Sequence, residues 1–269
     1  MKPIIQLLHF GYHQSMSCIF PVAIFGTLAL SNVIAVPFIH RYDAILLILL
    51  GVQYFMYRSG LETRDEIKVI CIFHFIGLLL ELYKVWMGSW SYPEPGYTKL
   101  LGVPLYSGFM YASVASFMCQ VWRRLRMDMT GWPGLRYSVL LGGAIYFNFF
   151  THHFIPDFRW WLTALVFIIF WKTRIIYRVR TITYRMPLTL AFFIVGFFIW
   201  LAENIATFFD AWKYPDQHQT WQLVSFSKIS SWFLLVIISV IIVAQLKNVK
   251  ASRTRNDSCS CKDCVNEEL

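Results

Sequence analysis

The chain has 269 residues, 57% of them hydrophobic and only 14% charged, with 24 Lys and Arg against 15 Asp and Glu. Soluble domains carry roughly 45–50% apolar and about 25% charged residues, so an ordinary soluble globule is excluded. In so apolar a chain the net charge of +9 is expected in cytoplasmic loops and not in a nucleic-acid groove, so no nucleic-acid partner is expected.

Apolar runs occupy 18–36, 44–57, 67–85, 104–121, 135–150, 160–177, 187–209 and 230–244. Read as helices, they predict an all-α polytopic membrane protein with eight transmembrane helices. The first run is as long as a full span and is expected to stay in the membrane and not be cleaved. The second is short, and the sixth contains Lys172 and Arg174, which would have to reach the interface. Pro104 and Pro187 fit helix starts, and Pro37 fits a position just beyond a helix end. Cys18, Cys71 and Cys119 fall within the runs as small packing residues. Between the third and fourth runs, Gly88, Gly96 and Gly102 with Pro93 and Pro95 predict a compact outer loop or re-entrant turn.

Eight spans with the N-terminus inside place 18 of the 24 basic residues on the cytoplasmic side and six outside or near the outer ends. That alternation predicts a multi-pass protein with both termini cytoplasmic. Residues 1–250 are then one eight-helix membrane domain, and 251–269 a disordered cytoplasmic tail.

The third and seventh runs align without gaps at an offset of 122 residues, which pairs Glu81 with Glu203, Trp90 with Trp212, Tyr92 with Tyr214, Pro93 with Pro215 and Glu94 with Asp216. The shared pattern, Glu-x8-Trp-x-Tyr-Pro-acid, predicts a duplication with halves of about 1–125 and 126–250. Four helices separate the copies, so the two four-helix repeats run parallel and a site is expected between them.

Glu81 and Glu203 lie in the outer part of their helices, where a lipid-facing carboxylate costs a few kcal/mol; each is expected to face the bundle interior. Desolvation favours the neutral acid, which makes both candidate catalytic proton donors. His74 stands two turns before Glu81 and Lys84 one turn after it, on the same face, and both join the candidate catalytic set. Asn204, Thr207 and Asp210 take their place in the second copy. A plain structural alternative is a local Glu81–Lys84 pair with Glu203 in a packing network. Trp90, Tyr92, Trp212, Tyr214 and Asn204 are candidate substrate-binding residues; the four aromatics fit either paired lids over a site or an interfacial belt.

Weaker signals remain. Asn148, Thr151, His152, His153 and Asp157 cluster near the end of the fifth run, where interfacial polarity is the simpler reading than a metal site. Cys259, Cys261 and Cys264 have spacing suited to a soft metal but lack a fourth ligand in the tail, and a reduced, disordered tail is the alternative. No phosphate-binding glycine loop, nucleophile elbow or zinc-protease motif is present.

The stretch 73–111, running through Glu81, Trp90, Tyr92 and Gly102-Val103-Pro104, resembles the signature region of a bacterial integral-membrane family known as domain of unknown function 817. The resemblance covers most of residues 1–250 and implies residence in the bacterial inner membrane. The same order of elements, an acid in a helix, an aromatic-x-Tyr step and a Gly-Val-Pro turn, is distantly similar to membrane lycopene cyclases and carotenoid hydratases. The Pro-x-Glu-Glu motif associated with the cyclases is absent here, and the second half lacks the Gly-Val-Pro step.

Three functions compete on these grounds. The first is an intramembrane acid–base enzyme acting on an apolar, isoprenoid-like substrate, with aromatic faces stabilising a developing cation and no cofactor needed. The second is a proton-coupled small-molecule transporter. The third is a noncatalytic scaffold whose tail binds a partner.

Overall fold

The computed structural model describes residues 2–34 and 37–244, so Cys259, Cys261 and Cys264 lie outside the described residues. The chain is mostly helical. In order, the helices are α1 (Lys2–Ser17), α2 (Ile19–Val33), α3 (Arg41–Arg58), α4 (Arg64–Trp86), α5 (Ser107–Arg124), α6 (Leu135–Thr151), α7 (Arg159–Ile169), α8 (Leu188–Phe208) and α9 (Lys228–Ala244). By length and composition α4 and α8 can cross a membrane. A third crossing is available if α1 and α2, bent by 59° at Cys18, form one broken span.

Several expected spans change in detail. The run 160–177 is not one helix: α7 stops at Ile169, and β4 (Arg174–Val179) follows and pairs antiparallel with β5 (Ile182–Pro187). Two cations, Lys172 and Arg174, end the apolar run, and the alternating burial of Ile175 and Val179 within a β-branched stretch favours a strand. Strand β3 (Asp128–Thr130) pairs antiparallel with β4, which completes a three-stranded sheet. The fourth run also starts later than expected, because Val103–Pro104 forms strand β2 against β1 (Lys99–Leu100), and α5 begins at Ser107. Helix α1 was not expected; its apolar positions are broken by His9, Gly11, His13 and Gln14, which masks a continuous run.

Helix α4 opens on a capping box: the Thr63 hydroxyl accepts from Glu66 N, and the Glu66 carboxylate accepts from Thr63 N. It packs tightly on α5 through two glycines. A Cβ at Gly77 would lie 2.5 Å from the Tyr111 ring, and one at Gly108 would lie 2.8 Å from the His74 carbonyl oxygen. The turns after α2, α4, α6 and α8 meet at one end of the bundle. Ser91 bonds Lys213, Tyr83 bonds the Phe150 carbonyl, and Arg159 bonds the Ser227 carbonyl. The sheet and the α3–α4 turn lie at the other end, where Arg178 N bonds the Leu125 carbonyl and Arg123 bonds the Leu61 carbonyl.

Arg41 holds the first of these ends together. Its guanidinium pairs with Glu94 and donates to the carbonyls of Phe209 and Asp210, capping α8. Arg41→Ala is expected to leave those carbonyls unsatisfied at a cost of about 1–3 kcal/mol. The thermal midpoint of the purified protein should fall by at least roughly 2 °C.

Candidate functional site

The ends of α4 and α8 fold alike. Met87 and Phe209 cap them, Gly88 and Asp210 follow at φ 68° and 53°, and Ser89 N and Ala211 N reach back to the Lys84 and Ala206 carbonyls. Each equivalent pair lies 122 positions apart. The turn geometry sends the following segments toward one another, and Ser91 and Lys213, also 122 apart, form an antiparallel bridge with N···O distances of 2.9 and 3.0 Å. Each residue of this bridge is the other's counterpart in the alignment.

Behind the bridge both glutamates are buried, Glu81 5% and Glu203 3% exposed. Glu81 accepts three hydrogen bonds: Trp90 Nε1 and Tyr92 OH, each 2.7 Å from Oε2, and Tyr111 OH, 2.9 Å from Oε1. Glu203 accepts from Tyr214 OH and, at 2.7 Å, from Trp232 Nε1. Trp90, Tyr92 and Tyr214, expected as substrate-binding residues, are direct hydrogen-bond donors to the acids. Burial, followed by the nearby Glu81 charge, pushes the Tyr92 phenol well above its ordinary range, and burial with Glu203 does the same for Tyr214. Both stay protonated and act as donors. The two shells touch: Trp90, which bonds Glu81, meets the ring of Tyr214, which bonds Glu203, edge-on at 5.9 Å.

The remaining sequence candidates are placed elsewhere. Lys84 does not pair with Glu81; it turns to α6, where its Nζ lies 3.2 Å from the Phe149 carbonyl and 3.4 Å from His153 Nε2. Two groups one turn apart on a helix can leave in different directions when a neighbouring helix offers a carbonyl. His74 packs edge-on against Phe109 at 4.5 Å, held by the close Gly108 contact, with no hydrogen bond to Glu81. Trp212 packs with Trp200, Tyr214 and Val224 and bonds neither acid. Asn204 serves backbone: its amide bonds the Trp200 carbonyl and its oxygen accepts from Val224 N. Asp157 is held by Asn148 and by Arg159; burial raises its carboxyl, but these hydrogen bonds and the Arg159 charge outweigh that and hold it below the usual range. Among the described residues no group of three or more His, Cys, Asp or Glu is arranged to hold a metal.

Tyr111 and Trp232 were not singled out by the sequence. They stand 30 and 29 residues after their respective glutamates, so extending the repeat alignment with one gap would have found them. Lys228 was missed too; its Nζ lies 4.6 Å from the Tyr214 ring centroid and 5.9 Å from that of Trp90. Asp43 anchors the loop before β1 by accepting from Tyr97 N and Thr98 N, both at 2.8 Å.

Between α4, α5, α6, α8 and α9 lies a narrow, mostly apolar cleft, partly open to the surface. Leu80, Tyr111, Tyr146, Ile199, Trp232 and Leu235 line it. The carboxyls themselves do not; Tyr111 and Trp232, one donor from each acid's shell, stand between them and the cleft.

A family model described as "Protein of unknown function (DUF817)" matches residues 6–240. The chain is 61% identical over 250 residues to "Uncharacterized protein YoaT" of Bacillus subtilis (strain 168), a match that covers 93% of this chain and 95% of that protein. No solved structure matches it. The likeness to lycopene cyclases and carotenoid hydratases rests on the sequence pattern alone.

Proposed function

Starting from a chain that belongs to the DUF817 family, we propose an intramembrane acid–base enzyme that acts on an apolar, isoprenoid-like substrate entering from the bilayer. The observation that carries this reading is the juxtaposition of two buried carboxyls with an apolar cleft lined by one hydrogen-bond donor of each. Burial disfavours the charged form of each carboxyl, and this reading gives Glu81 the proton. Only the first half offers a way out for it. A phenol can pass a proton on while an indole N–H cannot, so Glu81 acts through Tyr111, and Glu203, held by Tyr214 and Trp232, balances charge.

In that mechanism the Tyr111 hydroxyl, which donates to Glu81 at rest, turns into the cleft and gives its proton to a double-bond carbon while its oxygen takes the proton of Glu81. The resulting cation lies against Tyr111, Trp232 and Tyr146, whose ring faces stabilise it. It collapses when a neighbouring carbon returns a proton along the same path. The double bond has then shifted, and the enzyme is unchanged.

We read the matched turns and the Ser91–Lys213 self-pairing as a pseudo-twofold axis between two parallel repeats. The basic residues support the expected orientation in the cell membrane: Arg126, Lys172, Arg174, Arg178, Arg180 and Arg185 gather at the sheet end, which is placed in the cytoplasm with both termini. An eight-span arrangement requires the broken pair α1–α2 and the helices α3, α5, α6, α7 and α9 to complete the bundle around α4 and α8.

The test compares membrane lipids and small molecules, without a chosen target, in cells carrying the native form, a deletion, Glu81→Gln or Glu203→Gln. A species that changes on deletion and is not restored by Glu81→Gln is expected. Unaltered profiles, with no product from purified protein, would sink the enzyme. The acids at the proposed repeat interface also suit a proton-coupled transporter; for it, uptake into vesicles should depend on a pH gradient and vanish with Glu203→Gln. For a scaffold, truncation after Lys250 should matter more than Glu81→Gln.

A further inference from the structure

Two lysines stand one helical turn from the cleft's lining, at the loop end, which we read as its mouth. Lys84 lies one turn beyond Leu80 on α4, Lys228 lies one turn before Trp232 on α9, and Phe149 lies one turn beyond Tyr146 on α6. All three positions face the loop end, directly above residues that line the cleft. Lys84 is 3% exposed, a burial that ordinarily requires a counter-charge. Among the described residues it has none: its Nζ meets the Phe149 carbonyl at 3.2 Å, the Phe149 ring at 4.2 Å and His153 Nε2 at 3.4 Å.

Nearby charge makes the deficit greater. Lys84 is repelled by Lys228 and by Arg159, and Asp157, which offers attraction, is itself engaged by the Arg159 guanidinium at 2.8 Å. Lys228 rests over the Tyr214 and Trp90 rings; Glu203 acts on it from a distance without forming an ion pair. Two ammonium groups thus stand at the loop end, neither in a salt bridge, one turn from the mostly apolar lining of the cleft.

We propose that Lys84 and Lys228 bind the phosphate headgroup of an anionic amphiphile whose hydrocarbon chain occupies the cleft. This rests on the reading of the cleft as the substrate chamber and names the substrate class: a phosphorylated long-chain lipid or isoprenoid. A phosphate suits the mouth because it carries more than one negative charge and several acceptor oxygens, enough for two lysines. With its head fixed there, the first carbons of the chain would pass Tyr111 and Trp232, beside the acids.

Tryptophan fluorescence of the full chain in nanodiscs can follow titration with dodecyl phosphate, dodecanol or inorganic phosphate, since Trp90 and Trp232 flank the site. Dodecyl phosphate should bind at least about tenfold more tightly than dodecanol, and Lys84→Gln and Lys228→Gln should each remove that preference. Lys84→Arg should keep most of it. Dodecanol binding serves as the fold control, and if Lys84→Gln loses it, Lys228→Gln decides. Equal affinity for the two chains, or a preference that survives both substitutions, overturns the headgroup site and leaves the chamber standing. Failure of both chains to bind overturns the chamber as well. Inorganic phosphate binding as tightly as dodecyl phosphate would mean that a free anion and not a lipid occupies the mouth, and would also overturn the proposal.

Discussion

Glu81→Gln and Tyr111→Phe should each lower turnover by about 100-fold or more, the range that a positioned general acid contributes. Their effects on folding should be small. An amide at position 81 keeps one oxygen, which can still accept from Trp90 and Tyr92; its NH2 faces the Tyr111 hydroxyl, which can rotate to accept. Glu81→Ala is a different experiment. It leaves three buried donors with no acceptor, each at about 1–3 kcal/mol, and should unfold the protein or sharply reduce its yield. Product formation measured beside thermal unfolding separates the cases. Retained turnover in a folded Glu81→Gln protein would remove the acid from the mechanism, and retained turnover in Tyr111→Phe would remove the relay. Trp232→Phe should be milder, since it takes one donor from Glu203 and blocks no proton path.

The largest purely structural effect is expected at Gly77. A methyl there would sit 2.5, 2.6 and 2.7 Å from three atoms of Tyr111, including its Cβ, so rotation of the ring alone cannot relieve the overlap. Either α4 and α5 separate or Tyr111 leaves its rotamer, and in both cases the phenol loses its 2.9 Å bond to Glu81. Gly77→Ala should therefore destabilise by about 1–3 kcal/mol and depress turnover by more than the lost stability explains. Thermal unfolding and initial rates on the same preparation would show it. Gly143, with nothing within 4 Å of an added Cβ, is the control: Gly143→Ala should be nearly silent.

The acids and most of their ligands were legible because a carboxylate in an apolar run is costly wherever it points, and the repeat fixed Trp90, Tyr92 and Tyr214 at constant spacing from it. What escaped was set by tertiary contact. Tyr111 and Trp232 look like ordinary members of apolar helices until α5 and α9 dock against α4 and α8. Lys84 shares a helix face with Glu81, but a carbonyl on α6 captured it. Hydropathy also misread 160–177, because a half-buried strand of Ile and Val is as apolar as a helix; only its period of two distinguishes it. Helix α1 escaped for the opposite reason, its polar residues hiding a helix that packs beside β4 through Phe10 and Tyr177, with ring centroids 5.7 Å apart.

At the sheet end Arg178 N in β4 of the second half bonds the carbonyl of Leu125, where the first half ends, while Ser91 and Lys213 are stitched together at the far end. The molecule is thus latched top and bottom, and swinging one half away from the other would mean unfastening main-chain bonds at both latches. For the enzyme proposed above, such a body would be a fixed crucible, its substrate entering by a side door that faces the lipid.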